Sequence, residues 1–130
     1  MAASFSSSFP AGPAAPALAR RAISEFLHSH GADPRALADV MLALSEVVTN
    51  AVVHGYRGGE GEVRVAAEHA DDRLLLSVAD RGLGMAPRTD SPGLGVGLPL
   101  VGRIANRVDI TAEAGGGTLV SMCFSLHQVD

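Results

Sequence analysis

Apolar residues recur at helical spacing in some stretches of the chain and alternate in others, with glycine, proline and aspartate at the breaks. Ala3-Ser4-Phe5-Ser6-Ser7-Ser8-Phe9 alternates weakly and predicts a short edge strand, followed by a turn region from Pro10 to Pro16. Leu18 to His30 reads as a helix with Ala19, Ile23, Phe26 and Leu27 on one face, stopped by Gly31. Asp33-Pro34 restarts a helix, because Asp caps the free N–H groups and Pro at the first position gives up no needed bond. That helix runs to about His54 on an apolar stripe of Leu37, Val40, Met41, Leu44, Val48, Ala51 and Val52, and ends at Gly55 and Gly58-Gly59. Glu62 to Val65 and Arg73 to Ala79 are strand candidates joined through Asp71-Asp72, the second apolar enough for a central strand. After a Gly/Pro-rich loop from Asp80 to Gly97, Leu98 to Asn106 predicts a short helix. Val108 to Glu113 and Thr118 to Leu126 predict strands joined at Gly115-Gly116-Gly117. Helices over an antiparallel or mixed sheet make a two-layer α+β sandwich.

Composition narrows the picture. The 130 residues amount to one domain, 1–130, with no dividing linker and no internal repeat. With 47% hydrophobic and 18% charged residues, the chain has the matter for a core and not the composition of a disordered segment. A net charge of −4 and the lack of a basic stripe argue against nucleic-acid binding. The single cysteine, Cys123, excludes an intrachain disulfide and a cysteine-based zinc cluster, and its apolar surroundings predict a buried small hydrophobe. No apolar run reaches membrane-span length and the N-terminus lacks the layout of a secretory signal, so the expected location is the cytoplasm.

Two regions can carry chemistry. On the long helix, Glu46 and Asn50 are one turn apart and His54 continues the same side, away from the apolar stripe. An Asn carbonyl suits a hard cation such as Mg²⁺, and a neighbouring Glu can deprotonate a hydroxyl. A solvated helix face accounts for the same pattern. In the loop, Asp80 ends an apolar strand where a carboxylate can accept from a ligand amine, and Gly82 and Gly84 permit close backbone approach. Gly93-Leu94-Gly95-Val96-Gly97 then runs into a helix start, which makes a phosphate cradle; a plain glycine-rich surface loop is the alternative. No GxxxxGK[ST] is present, and the glycines stand too far from a strand end for a dinucleotide fingerprint. His28 and His30 diverge on their helix, His69 and His127 stand alone, and Arg20 and Arg21 read as a solvated helix face. Tyr56 packs over the helix end or approaches a ligand.

Taken together, Ser45-Glu46-Val47-Val48-Thr49-Asn50-Ala51 with His54-Gly55-Tyr56, then Asp80-x-Gly82-x-Gly84-Met85, then Gly93-x-Gly95-x-Gly97-Leu98, then Gly117-Thr118, resemble the GHKL (histidine-kinase-like) ATPase superfamily. The short single-domain form resembles the bacterial anti-sigma factor serine/threonine kinases, over nearly the whole chain. The resemblance implies the Bergerat α/β sandwich, a mixed, mainly antiparallel sheet covered by helices on one face. It implies ATP and Mg²⁺ as cofactors, with Asn50 holding Mg²⁺ and Glu46 as catalytic base. It places Asp80 and Thr118 at the adenine with Gly82, Gly84 and Met85 beside it, and Gly93, Gly95, Val96, Gly97 and Leu98 at the phosphates. His54 belongs to the same nucleotide-binding set. The implied partners are a sigma factor and an anti-sigma antagonist whose serine is phosphorylated, and the implied assembly is a homodimer. One departure stands out: only Met85 to Pro92 separate Gly84 from Gly93, a shorter lid than in the better-known kinases, with Arg88, Thr89, Asp90 and Ser91 as its polar residues. The alternative function is therefore a nucleotide-binding regulator that sequesters a partner without kinase activity. A sandwich that binds no nucleotide would not require the glycines or Asp80.

Overall fold

The computed structural model describes residues 2–55, 61–81, 97–113 and 116–126. Along the chain lie β1 (Ala2–Pro10), α1 (Ala15–His28), α2 (Pro34–Gly55), β2 (Glu62–Ala70), β3 (Arg73–Asp80), α3 (Gly97–Ile104), β4 (Arg107–Ala112) and β5 (Thr118–Ser125). The strands form one sheet in the order β1-β2-β3-β5-β4, and each of its four pairings is antiparallel. The helices cover one face, as the α+β sandwich expectation required.

Local chemistry sets the boundaries. The Asp33 carboxylate accepts the Arg35 N–H at 2.9 Å, the N-cap bond its position promised. Gly31 takes φ +72°, and the N–H groups of Ala32 and Gly31 return to the carbonyls of Leu27 and His28, closing α1 with a Schellman-type pair of bonds. β2 runs on to Ala70, well past Val65. Ala66, Ala67 and His69 blur its alternation, but β1 and β3 pair with it on both sides and carry the ladder through. α1 begins at Ala15, three residues before the Leu18 start read from the sequence.

The core lies between the layers. Val63, Val65 and Ala67 of β2, Leu74, Leu76 and Val78 of β3, and Val120, Met122 and Phe124 of β5 face the helices. Ala19, Ile23 and Leu27 of α1 and Ala36, Val40, Ala43, Leu44, Val47, Val48 and Ala51 of α2 meet them. The buried stripe of α2 is thus centred on Val40, Ala43 and Val47, while Leu37, Met41 and Val52 lie at its edge. By length and composition α2 is apolar enough to cross a membrane. It is the central core helix of this sandwich instead, flanked by α1 and α3 and packed on β3 and β5.

Three surface readings change. Arg20 is not on a solvated face: its Nη1 donates to Ser45 Oγ across the α1–α2 contact at 3.0 Å, and Ser45 Oγ donates to the Met41 carbonyl at 2.8 Å. His69 does not stand alone, since its ring meets His30 edge-on at 5.3 Å between centroids, beside Phe26. Cys123 is half-exposed, because odd positions of β5 face the open side of the sheet.

Candidate functional site

Backbone bonds fix where the two halves of the site meet. The Asp33 N–H donates to the Leu126 carbonyl at 3.1 Å, and the Leu126 N–H donates to the Asp72 carbonyl at 2.8 Å. The start of α2 is therefore clamped to the end of β5 and the start of β3. From Asp33 to Asn50, at ~1.5 Å per residue, is ~25 Å. From Leu126 back to Thr118, at ~3.4 Å per residue, is ~27 Å. Asn50 on the helix thus stands level with Thr118 and Asp80 on the sheet.

On the sheet side, Asp80 and Thr118 are direct cross-strand partners, with Val63 opposite Asp80 on the other flank. Both point to the helical layer and both are buried, Asp80 3% and Thr118 1% exposed, the two buried polar residues among those described. Both are engaged in polar or electrostatic interactions. A carboxylate withdrawn from water at the end of a central strand is costly unless bonded, so its place is a functional signal and not a packing one. Gly117 explains how β5 reaches it. Gly117 has φ +100°, and a Cβ there would overlap the Asp80 carbonyl oxygen and come within 3.0 Å of the Arg81 Cα. Only glycine lets the start of β5 lie so close to Asp80.

On the helix side, Ser45 marks the flank of α2 turned towards α1. Asn50 is ~140° further round the axis, on the flank of α3, and Glu46 lies one turn before it. Both are half-buried, not turned fully outward, because Ala43 and Val47 beside them belong to the buried stripe. The Asn50 Nδ2 is buried with no hydrogen-bond partner. An orphaned buried amide costs roughly 1–3 kcal/mol, and a ligand that bonds it recovers that cost. The amide offers both an oxygen for a hard cation and an N–H₂ for a phosphate oxygen. The residues therefore fit a magnesium–nucleotide: Asn50 would hold the ion, and the ion would supply charge neutralisation at the phosphates. Among the described residues no group of three or more His, Cys, Asp or Glu could hold a metal ion by itself. An ion here would accordingly share its ligands with a phosphate.

α3 opens at Gly97, where the last glycine of the GxGxG run enters the helix. Gly82, Gly84, Met85, Gly93, Gly95 and Val96, the lid from Met85 to Pro92, Tyr56 and His127 lie outside the described residues. The side chains of His54 and Leu98 are likewise outside the description. A cavity of about 430 Å³ beside Asp80 and Arg81 is lined by Ser8, Arg64 and Ala79, which belong to the open side of the sheet, so it is not the space the helices frame. Reading the sequence missed Gly117 as the residue that seats Asp80; its signal was the triple glycine before the last strand.

The histidine kinase-like ATPase domain matches residues 9–124. An anti-sigma F factor from Clostridium beijerinckii is 32% identical over 116 residues, covering 80% of this chain and 81% of that protein. One from Pasteuria penetrans is 31% identical over 124 residues, covering 85% and 83%. The crystal structure of the RsbU and RsbW domains of Rv1364c from Mycobacterium tuberculosis superposes with a TM-score of 0.78 at 29% identity, over 98% of this chain and 33% of that longer one. A model of that domain matched over most of the chain, with relatives above 30% identity covered to four fifths, shows that the chain belongs to the histidine kinase-like ATPase family.

Proposed function

We propose that the chain is an ATP-dependent protein serine/threonine kinase of the anti-sigma factor type, which binds a sigma factor and phosphorylates an antagonist protein. The observation that carries this is the orphaned amide of Asn50, level with the buried Asp80–Thr118 pair and one turn from Glu46. The anti-sigma F factors among its relatives support the choice of partners. Asp80 accepts from the adenine amino group, with Thr118 beside it. Asn50 would hold Mg²⁺, which would supply charge neutralisation at the phosphates, and the glycine run before α3 would cradle them. Glu46 takes the proton from an acceptor serine hydroxyl. The serine oxygen bonds to the γ-phosphorus as the bond to the bridging oxygen breaks, and ADP leaves. Leu42 and Val53, 42% and 57% exposed, flank Glu46 along α2 and offer the acceptor protein an apolar footing. The protein acts as a homodimer in the cytoplasm, where its ATP is.

The eight-residue lid from Met85 to Pro92 favours a second reading, a nucleotide-binding regulator that sequesters its partner without phosphotransfer. Glu46→Gln separates the two. Under the kinase reading it abolishes transfer of labelled phosphate from ATP to a co-purified antagonist and leaves nucleotide affinity within about twofold. If the wild type transfers no phosphate while binding nucleotide and partner, the regulator reading replaces it.

A further inference from the structure

The helices cover one face of the sheet, and register lays out the other face in rows. Across β2, β3, β5 and β4 one row reads Glu68, Leu75, Cys123, Arg107. The next reads Ala66, Ser77, Ser121, Asp109, and the third Arg64, Ala79, Leu119, Thr111. The two central strands carry no charge in these rows, and Leu75 among them is 43% exposed. The charges stand on the flanks, Glu68 and Arg64 on β2, Arg107 and Asp109 on β4. A hollow of about 270 Å³ opens over the β2 flank, bounded by Ser4, Ser6, Ala66, Glu68, Leu75 and Ser77. On the β4 flank, Arg107 and Asp109 project from the face, ion-paired at 2.8 Å with their side chains 72% and 51% exposed.

We propose that this open face is a self-association surface, on which a second copy of the chain packs face to face. The two-fold axis runs parallel to the strands, midway between β3 and β5. Such an axis keeps each row at its own height and exchanges β2 with β4 and β3 with β5, so every row meets its own reverse. Glu68 meets Arg107 of the second copy, and Arg64 lies diagonal to its Asp109. The symmetry makes each of these opposite-charge meetings twice. In the middle Leu75 stands over Cys123 and Leu119 over Ala79, each large residue on a small one, with Ser77 over Ser121. That alternation lets two inner faces interdigitate at the ~10 Å spacing of packed sheets.

Shape agrees with charge. The hollow over β2 is where the Arg107–Asp109 pair of the second copy arrives, so the projecting pair of one flank enters the recess of the other. Glu62 meets Glu113 at the end of the face, beside Arg64 and Arg81, which line one cavity of about 430 Å³ with both carboxylates. Any occupant must present these charges and sizes in reverse order, and the chain itself does so. Four strands at ~4.8 Å, with rows from Arg73 to Arg81 at ~3.4 Å per residue, make a footprint of about 19 Å by about 27 Å, or ~500 Å² per copy. That is below the ~800 Å² of a standard interface, so the contact depends on concentration. It leaves the outer edge of β1, the helical layer and the space around Asn50 free, and stands independently of the homodimer reading above.

Cysteine cross-linking of the full chain, over a concentration series up to about 1 mM, tests this. With sheets ~10 Å apart and neighbouring strands ~4.8 Å apart, the two Cys123 Cα atoms lie ~11 Å apart across the axis. A short bis-maleimide should therefore join wild-type chains through Cys123, the single cysteine, and Cys123→Ser should give no product. Glu68→Arg should weaken the contact about tenfold or more, because it sets like charges together at both flanks, and Arg107→Glu should do the same. Both reversals in one chain should bring association back to within about threefold of wild type, which damage to the fold would not do. Sedimentation velocity on the same proteins should rank them in the same order. A wild type with no Cys123 cross-link, or a cross-link indifferent to both single reversals, would overturn the face-to-face contact. So would a double variant weaker than either single one. A dimer in sedimentation that neither cross-links at Cys123 nor responds to the reversals would overturn it and leave the homodimer reading standing.

Discussion

Replacing Gly117 by alanine tests how the site is seated. Three glycines form a graded series in this chain. Gly102 lies on α3 with nothing near the position of a Cβ, so Gly102→Ala only gains helix propensity, about 0.5–1 kcal/mol of stability. Gly31 has φ +72° and equally open space, so Gly31→Ala carries the left-handed backbone cost alone, a net loss of about 1 kcal/mol. Gly117 has φ +100° and in addition the Asp80 carbonyl in the way. Backbone strain of ~1–2 kcal/mol and a steric displacement of ~1–3 kcal/mol sum to a loss of about 2–5 kcal/mol. With a urea slope of about 2 kcal/mol/M, the midpoint should fall by about 1–2.5 M, against about 0.5 M for Gly31→Ala and a small rise for Gly102→Ala. The assay is urea unfolding followed by circular dichroism, with the slope checked for constancy. A Gly117→Ala protein no less stable than Gly31→Ala would refute the close approach of β5 to Asp80. The same displacement moves Thr118 away from Asp80. Nucleotide affinity measured while the variant is folded should therefore drop by about tenfold or more.

Leu44, fully buried at the centre of α2, supplies the control: Leu44→Ala should cost about 2–5 kcal/mol in the same unfolding assay while changing nucleotide affinity less than about twofold. Asp80→Asn should weaken ATP binding by about tenfold to a hundredfold in calorimetry and erode the preference for adenine over guanine, because an amide can present the wrong partner to the exocyclic amine. Asn50→Ala should leave urea stability unchanged or raise it by up to about 1 kcal/mol, since it deletes a buried amide with no partner. A large loss of stability would mean that Asn50 is there for structure.

The periodicity of the chain was enough to place the eight elements among the described residues, and Asp33 and Gly31 announced their caps through chemistry confined to a few neighbouring residues. Contacts between distant segments were another matter. Arg20 looked solvated because its partner, Ser45, lies on another helix. The His30–His69 contact joins the end of α1 to the end of β2, which no local spacing reveals. Cys123 sits in an apolar run, yet strand alternation turns it to the open face of a sheet covered on one side only. The ordered motifs singled out the candidate site residues, but not the burial of Asp80 and Thr118 or the half-burial of Glu46 and Asn50. Counting large apolar residues centred the α2 stripe too far from Asn50, because Ala36 and Ala43 carry as much of the packing face as their larger neighbours. The pairing of Asp80 with Thr118 followed from register, which depends on the whole sheet.

Titration calorimetry of ATP and ADP, with and without Mg²⁺, on the wild type and Asn50→Ala tests the central claim most directly. The account predicts saturable, Mg²⁺-dependent ATP binding by the wild type, with the Mg²⁺ dependence lost in Asn50→Ala although that variant folds normally. No heat of binding at millimolar nucleotide, or binding whose Mg²⁺ dependence survives in Asn50→Ala, would contradict it.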